Sequence, residues 1–152
     1  MFGWLKNKKT AIYAPVAGEI IDLSSVPDEV FSAKMAGEGI AIKPSEDIFR
    51  SPIDGVIAKV FPTNHAFVVS KNGLEVIVHI GVDTVTLNGE GFSRLANEGT
   101  SVKVGDPIIQ VDLPLVSSKA KSMVTPVVVN SSKVSIYPQH SVCSGNLIME
   151  VN

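Results

Sequence analysis

One cysteine, Cys143, stands among 152 residues. That excludes an internal disulfide and a cysteine-built metal cage, and it suits a reducing compartment. Aromatic residues are scarce at 6%, and 13 Lys and Arg against 15 Asp and Glu leave a formal net charge of −2. A nucleic-acid binder would show a clustered basic face instead, so no nucleic acid is expected as a partner. No run approaches the ~20 apolar residues of a membrane span. The start, Met1-Phe2-Gly3-Trp4-Leu5-Lys6-Asn7-Lys8-Lys9, puts apolar residues ahead of lysines. A secretion signal has the reverse order, so a cytoplasmic location is expected. Residues 1–10 read as a short flexible segment, at most a weak toucher of lipid, and residues 11–152 as a single domain.

What the chain does have is apolar material, 45% of its residues. A chain of this length buries roughly 70% of its unfolded surface, so a packed core is expected and disorder is not. Valine and isoleucine are plentiful, and Pro or Gly interrupts most apolar runs before they reach helix length, which favours short strands. Helix is expected only near Gly91 to Asn97 and Ser117 to Lys121. The fold class is all-β: a compact antiparallel β-sandwich or barrel with at most one or two short helices.

Internal likeness points to a duplicated motif. Ala14-Pro15-Val16-Ala17-Gly18-Glu19-Ile20 echoes Ser51-Pro52-Ile53-Asp54-Gly55-Val56-Ile57, and each is followed by a Pro-to-Phe segment. Ser101 to Asp112 aligns without a gap to Ser141 to Asn152, with Gly-Asp answered by Gly-Asn at a tight turn before a strand.

Two histidines, His65 and His79, flank a turn-forming stretch, Ser70-Lys71-Asn72-Gly73. Alternation sends Leu74, Val76, Val78 and Ile80 one way and Glu75, Ile77 and His79 the other. A two-residue turn at Asn72-Gly73 puts His79 opposite Ala66 and His65 on the other face. A three-residue turn, Lys71-Asn72-Gly73, puts His65 directly opposite His79 with Cβ atoms ~5 Å apart. Hydrophobicity leaves both registers open. His140, beside a Gly-Asn turn, reads as surface.

The runs Phe61-Pro62-Thr63-Asn64-His65-Ala66-Phe67 and Leu74 to Val85 resemble the glucose-type enzyme IIA of the bacterial sugar phosphotransferase system. So do Asn88-Gly89-Glu90-Gly91-Phe92, Val104-Gly105-Asp106 and Asp112-Leu113-Pro114, and the likeness runs from about Ala14 to Val129. The resemblance implies both histidines in one shallow depression on a β-sandwich, and so selects the three-residue turn.

It further implies a phosphocarrier. His79 would accept a phosphoryl group from phosphohistidine on HPr and pass it to a IIB domain, with no cofactor beyond the phosphohistidine itself. A neutral imidazole is nucleophilic near pH 7 and needs no separate base. The main-chain carbonyl of Gly81 would hold Nδ1 of His79 and leave Nε2 to react. His65 would support onward transfer, oriented by Thr63. Asp28 and Asp83 would meet arginines on the partners, and Phe31, Phe61 and Ile77 would form an apolar docking rim. A regulatory protein partner is also open, and membrane contact would come chiefly through the permease.

Rivals are weaker. A biotinyl or lipoyl carrier needs a lysine at a hairpin tip, and Ala33-Lys34-Met35 is only a faint candidate. A zinc peptidase needs at least three protein ligands and an open position. Two imidazoles are half a metal site, which leaves room only for a zinc at His65 and His79 shared with a partner carboxylate. A regulatory or carrier-type binding module on the same duplicated fold is the remaining alternative.

Overall fold

The computed structural model describes residues 9–152. Expectations for residues 1–8 lie outside the described residues. Fourteen strands, numbered in chain order, form three antiparallel sheets among them. The large sheet runs β13 (Ser141–Val142), β2 (Gly18–Ile21), β3 (Glu38–Pro44), β11 (Thr125–Val129), β7 (Leu74–His79), β6 (Ala66–Lys71), β5 (Gly55–Val60), β9 (Ser101–Val102). One small sheet is β1 (Thr10–Tyr13), β14 (Leu147–Val151), β12 (Val134–Ile136). The other is β4 (Ile48–Arg50), β10 (Pro107–Val111), β8 (Phe92–Arg94). None of the three closes on itself, so the architecture is a sandwich and not a barrel.

The repeats in the sequence become a pseudo-two-fold axis. Gly18 pairs with Val142 and Gly55 with Val102 at opposite ends of the large sheet. In the small sheets Ile12 pairs with Met149 as Phe49 pairs with Ile109, and a bulge follows at the same place in each. The halves also exchange bonds: Tyr13 N–H donates to the Pro52 carbonyl, and Arg50 N–H to the Pro15 carbonyl. The axis passes through the Val78–Val127 pair at the sheet centre. Ala66 opposite His79 therefore corresponds to Gly39 opposite Val128.

Alternation divides the two faces. Ile40, Ile42, Val76, Val78, Ile80, Val127 and Val129 join Phe49, Ile109 and Met149 of the small sheets in the main core. Ala41 and Val128 point the other way, into a second cluster with Leu23, Val26, Phe31 and Val82, against which Ile77 packs. Burying each such side chain contributes about 1.5–3 kcal/mol, so both faces hold the sheet flat against its covers. His79 follows Ile77 on this second face.

The helix expectations need correction, although two short α-helices are present. Residues 92–94 are strand β8, because Phe92 is buried in the main core and pairs with Val111, and Gly91 before it has φ 86°. The helix near Ser117 begins earlier: α2 is Leu113–Lys119, capped by Asp112, whose carboxylate accepts from Leu115 N–H, with Pro114 in the first turn. Helix α1, Glu29–Ser32, was not foreseen; it is a single turn capped by Asp28.

The expected three-residue hairpin turn is also corrected. Lys71 pairs with Leu74, leaving Asn72 (φ 51°) and Gly73 (φ 86°) as a two-residue turn of the mirror-image type. Asn-Gly takes these positive φ angles with little strain, and that preference fixes the register.

Candidate functional site

His79 is the last residue of β7, opposite Ala66. His65 lies one residue before β6, beyond the paired register. Its carbonyl accepts from Ile80 N–H at 2.7 Å, so its backbone still follows β7. Just before it, Asn64 is left-handed (φ 59°), and its N–H closes a turn onto the Phe61 carbonyl at 2.7 Å. Strict alternation does not bind a residue in that turn. The two rings consequently meet at 5.0 Å between centroids, crossed at 77°, despite a register that separates them on paper.

A carbonyl oxygen only accepts, so the 2.8 Å contact between His79 Nδ1 and the Gly81 carbonyl places the proton on Nδ1. The Nε2 lone pair is left available. Gly81 has φ 76°, and a Cβ there would come within 2.6 Å of Thr84 Cγ2 and 3.0 Å of the Ser122 carbonyl. The glycine is thus required both by conformation and by crowding. Thr63 Oγ1 is hydrogen-bonded to Nδ1 of His65. When the hydroxyl donates, His65 keeps its proton on Nε2 as a donor toward the shared space.

Burial holds both rings neutral. Desolvation, reinforced by the neighbouring His79, lowers the His65 pKa to about 4. His65 is 4% exposed, whereas His79 is partly open. Desolvation also lowers His79, opposed by the Gly81 hydrogen bond and by the charges of Asp28 and Asp83. A neutral ring with a defined tautomer is what a nitrogen nucleophile needs near pH 7.

Asp28 and Asp83 stand on separate turns. Asp28 also caps α1, its carboxylate accepting from Val30 N–H at 2.9 Å. Asp83 is exposed and left-handed (φ 60°). Phe31 meets the His79 ring at 5.0 Å, and Phe61 meets the His65 ring edge-on at 5.4 Å under the Lys59 ammonium. Ile77 is half-buried beside Phe31 in the second cluster. Val30 and Val85 are exposed nearby in the chain, on α1 and after Asp83. His140 is exposed, as expected.

Several supporting residues escaped the sequence. Thr84, fully buried, donates to the Ile80 carbonyl at 2.6 Å, and Val82 N–H donates to the Ser122 carbonyl at 2.8 Å, so the turn after His79 is tied at both ends. Arg94 of β8 reaches across to Asn64 and the Phe61 carbonyl. The only local sign of these roles was the Asn-His and Asp-Thr pairing at turns. A hollow of about 920 Å³ lies elsewhere; its wall includes Glu46, Asp47 and Asp112 but no histidine, lysine or arginine. Among the described residues, no three His, Cys, Asp or Glu side chains are grouped to hold a metal, and no helix is long and apolar enough to cross a membrane.

Residues 10–134 match the model of a family described as phosphoenolpyruvate-dependent sugar phosphotransferase system, EIIA 1. The chain belongs to the EIIA 1 family. It is 52% identical over 134 residues to the glucose-specific EIIA component of Haemophilus influenzae, covering 86% of this chain and 81% of that one. An N-acetylglucosamine-specific EIICBA component from Klebsiella pneumoniae is 46% identical over 129 residues, 83% of this chain but 20% of that longer protein. Among solved structures, glucose permease IIA from Mycoplasma capricolum superposes with a TM-score of 0.91 at 36% identity, covering 98% of this chain and 99% of the other. As an EIIA component the protein is a phosphocarrier, a phosphotransferase component of the sugar phosphotransferase system.

Proposed function

We propose that His79 carries the phosphoryl group at Nε2, taking it from phosphohistidine on HPr and delivering it to the IIB domain of a glucose-family permease. The observation that carries this reading is the Nδ1 proton held by the Gly81 carbonyl, with a second neutral imidazole alongside. The Nε2 lone pair forms the new P–N bond as the donor's P–N bond breaks, and the donor ring leaves with its electron pair. Transfer onward repeats the exchange in the other direction. His65, with Nε2–H directed by Thr63, hydrogen-bonds a phosphoryl oxygen and steadies the group as it departs.

Asp28 and Asp83 attract cationic side chains of either partner, which the incoming phosphate also attracts. Phe31, Phe61 and Ile77 supply the apolar part of the docking surface, and the carrier works in the cytoplasm as one domain over residues 11–152. Two imidazoles fall short of a zinc site, so a zinc here would need a partner's carboxylate. A regulatory binder would use the same surface without needing phosphate on His79.

Incubation with phosphoenolpyruvate, enzyme I and HPr, followed by intact mass and a linkage assay, tests the proposal. One acid-labile phosphate on His79 is expected. His79→Gln should accept none, and His65→Gln should accept but release to IIB ~10²-fold more slowly. Absence of phosphate on the wild-type chain, with HPr active on a control acceptor, would leave the regulatory binder.

A further inference from the structure

Among the described residues, the guanidinium of Arg94 hydrogen-bonds the segment aiming His65 from outside the two histidine turns. Its Nε donates to Asn64 Oδ1 at 2.8 Å, and its Nη2 donates to the Phe61 carbonyl at 3.2 Å. That carbonyl also receives Asn64 N–H, so both ends of the turn are fixed by a single planar fork. Arg94 is exposed and, among the described residues, lies within ion-pair distance of no carboxylate. It belongs to β8, which pairs only with β10 in a small sheet, 30 residues from Asn64. Its fork therefore ties the small sheet to the turn between β5 and β6. Left-handed backbone at Asn64 is tolerable for asparagine but not intrinsically favoured, so the conformation depends on such ties.

We propose that Arg94 is a positioning residue for phosphoryl release, holding the Phe61–His65 turn so that the His65 ring stays against His79. The role rests on the phosphocarrier reading given above. It acts through Asn64 and Phe61 and not by touching the reacting atoms. Acceptance at His79 depends on the Gly81 turn, which Arg94 does not contact. Release depends on His65, which Arg94 indirectly aims.

The test compares wild type with Arg94→Ala, Arg94→Lys, Asn64→Gly and the Arg94→Ala/Asn64→Gly pair in the full chain. Each is phosphorylated by phospho-HPr, then discharged to a IIB domain. Arg94→Ala should accept at a rate within about twofold of wild type and release about tenfold more slowly, the change of one ~1.4 kcal/mol interaction. Arg94→Lys, lacking the fork, should recover little. Asn64→Gly keeps access to the left-handed backbone and removes the side chain that carries Oδ1, and the double variant should be no slower than the slower single one. Nitrogen NMR should show the His65 ring signals moved and those of His79 in place, with thermal midpoints alike. Unchanged release in Arg94→Ala, equal loss of acceptance and release, or full additivity would overturn this role alone. No phosphate on the wild-type chain would overturn the carrier reading beneath it.

Discussion

His79 Nδ1 and the carbonyl of Gly81 are 2.8 Å apart, and this contact decides which ring nitrogen is free to react. Gly81→Ala should break it. A side chain at φ 76° costs about 1–2 kcal/mol, and the Cβ contact with Thr84 at 2.6 Å adds to that. The expected result is a lower thermal midpoint together with loss of the single Nδ1–H tautomer of His79 in nitrogen NMR. Phosphate acceptance should fall with the tautomer. A variant that retained both the tautomer and full acceptance would contradict the assignment.

The acid limb of phosphate acceptance should lie below the ordinary histidine value of 6.5, because desolvation lowers His79. Protonation removes the attacking lone pair, so acceptance should be flat through neutrality and fall only on further acidification. Asp83 raises the His79 pKa by its charge, and asparagine tolerates the left-handed backbone there. Asp83→Asn should therefore move the limb to still lower pH while weakening the salt-sensitive encounter with HPr. Rates measured against pH and ionic strength separate the two effects.

Stability should fall with acidification over the same range. The folded chain holds His65 at about 4, against 6.5 for an ordinary histidine. Between those values the unfolded chain binds a proton that the folded chain refuses, so stability rises with pH through the window and declines as pH drops. His79 acts in the same direction. Urea midpoints from pH 7 to pH 4 should show the decline, and His65→Gln should flatten it.

Thr63→Val removes the hydroxyl at His65 Nδ1 while keeping a β-branched side chain of similar size. Without that bond either ring nitrogen of His65 can carry the proton. Release to IIB should slow about fivefold, corresponding to a hydrogen bond of roughly 1 kcal/mol, whereas acceptance stays near wild type. Single-turnover discharge kinetics distinguish this from a general loss of activity.

The sequence made the all-β class legible through its short valine-rich runs, and the duplication through Ser101 to Asp112 against Ser141 to Asn152. Face assignment along β7 followed from alternation alone. The hairpin register did not, because either register gave one mostly apolar face, and likeness to a family pointed to the wrong turn. What decided it was local: Asn72-Gly73 closes a two-residue turn, and Asn64 bends His65 back to its partner. Strand β8 hid as a helix because it is three residues long and earns its place only by pairing with β10. Arg94 had no pattern to betray it, and Thr84 only the Asp-Thr pair at its turn, since their partners lie elsewhere in the chain or on the backbone.

The internal axis through Val78 and Val127 places Val128 where the other half has His79. Under the phosphocarrier reading proposed above, only one half carries the acceptor ring, so the protein would hold a single phosphoryl group at this position, not one per half. Its counterpart, Val128, is fully buried in the second cluster and serves packing.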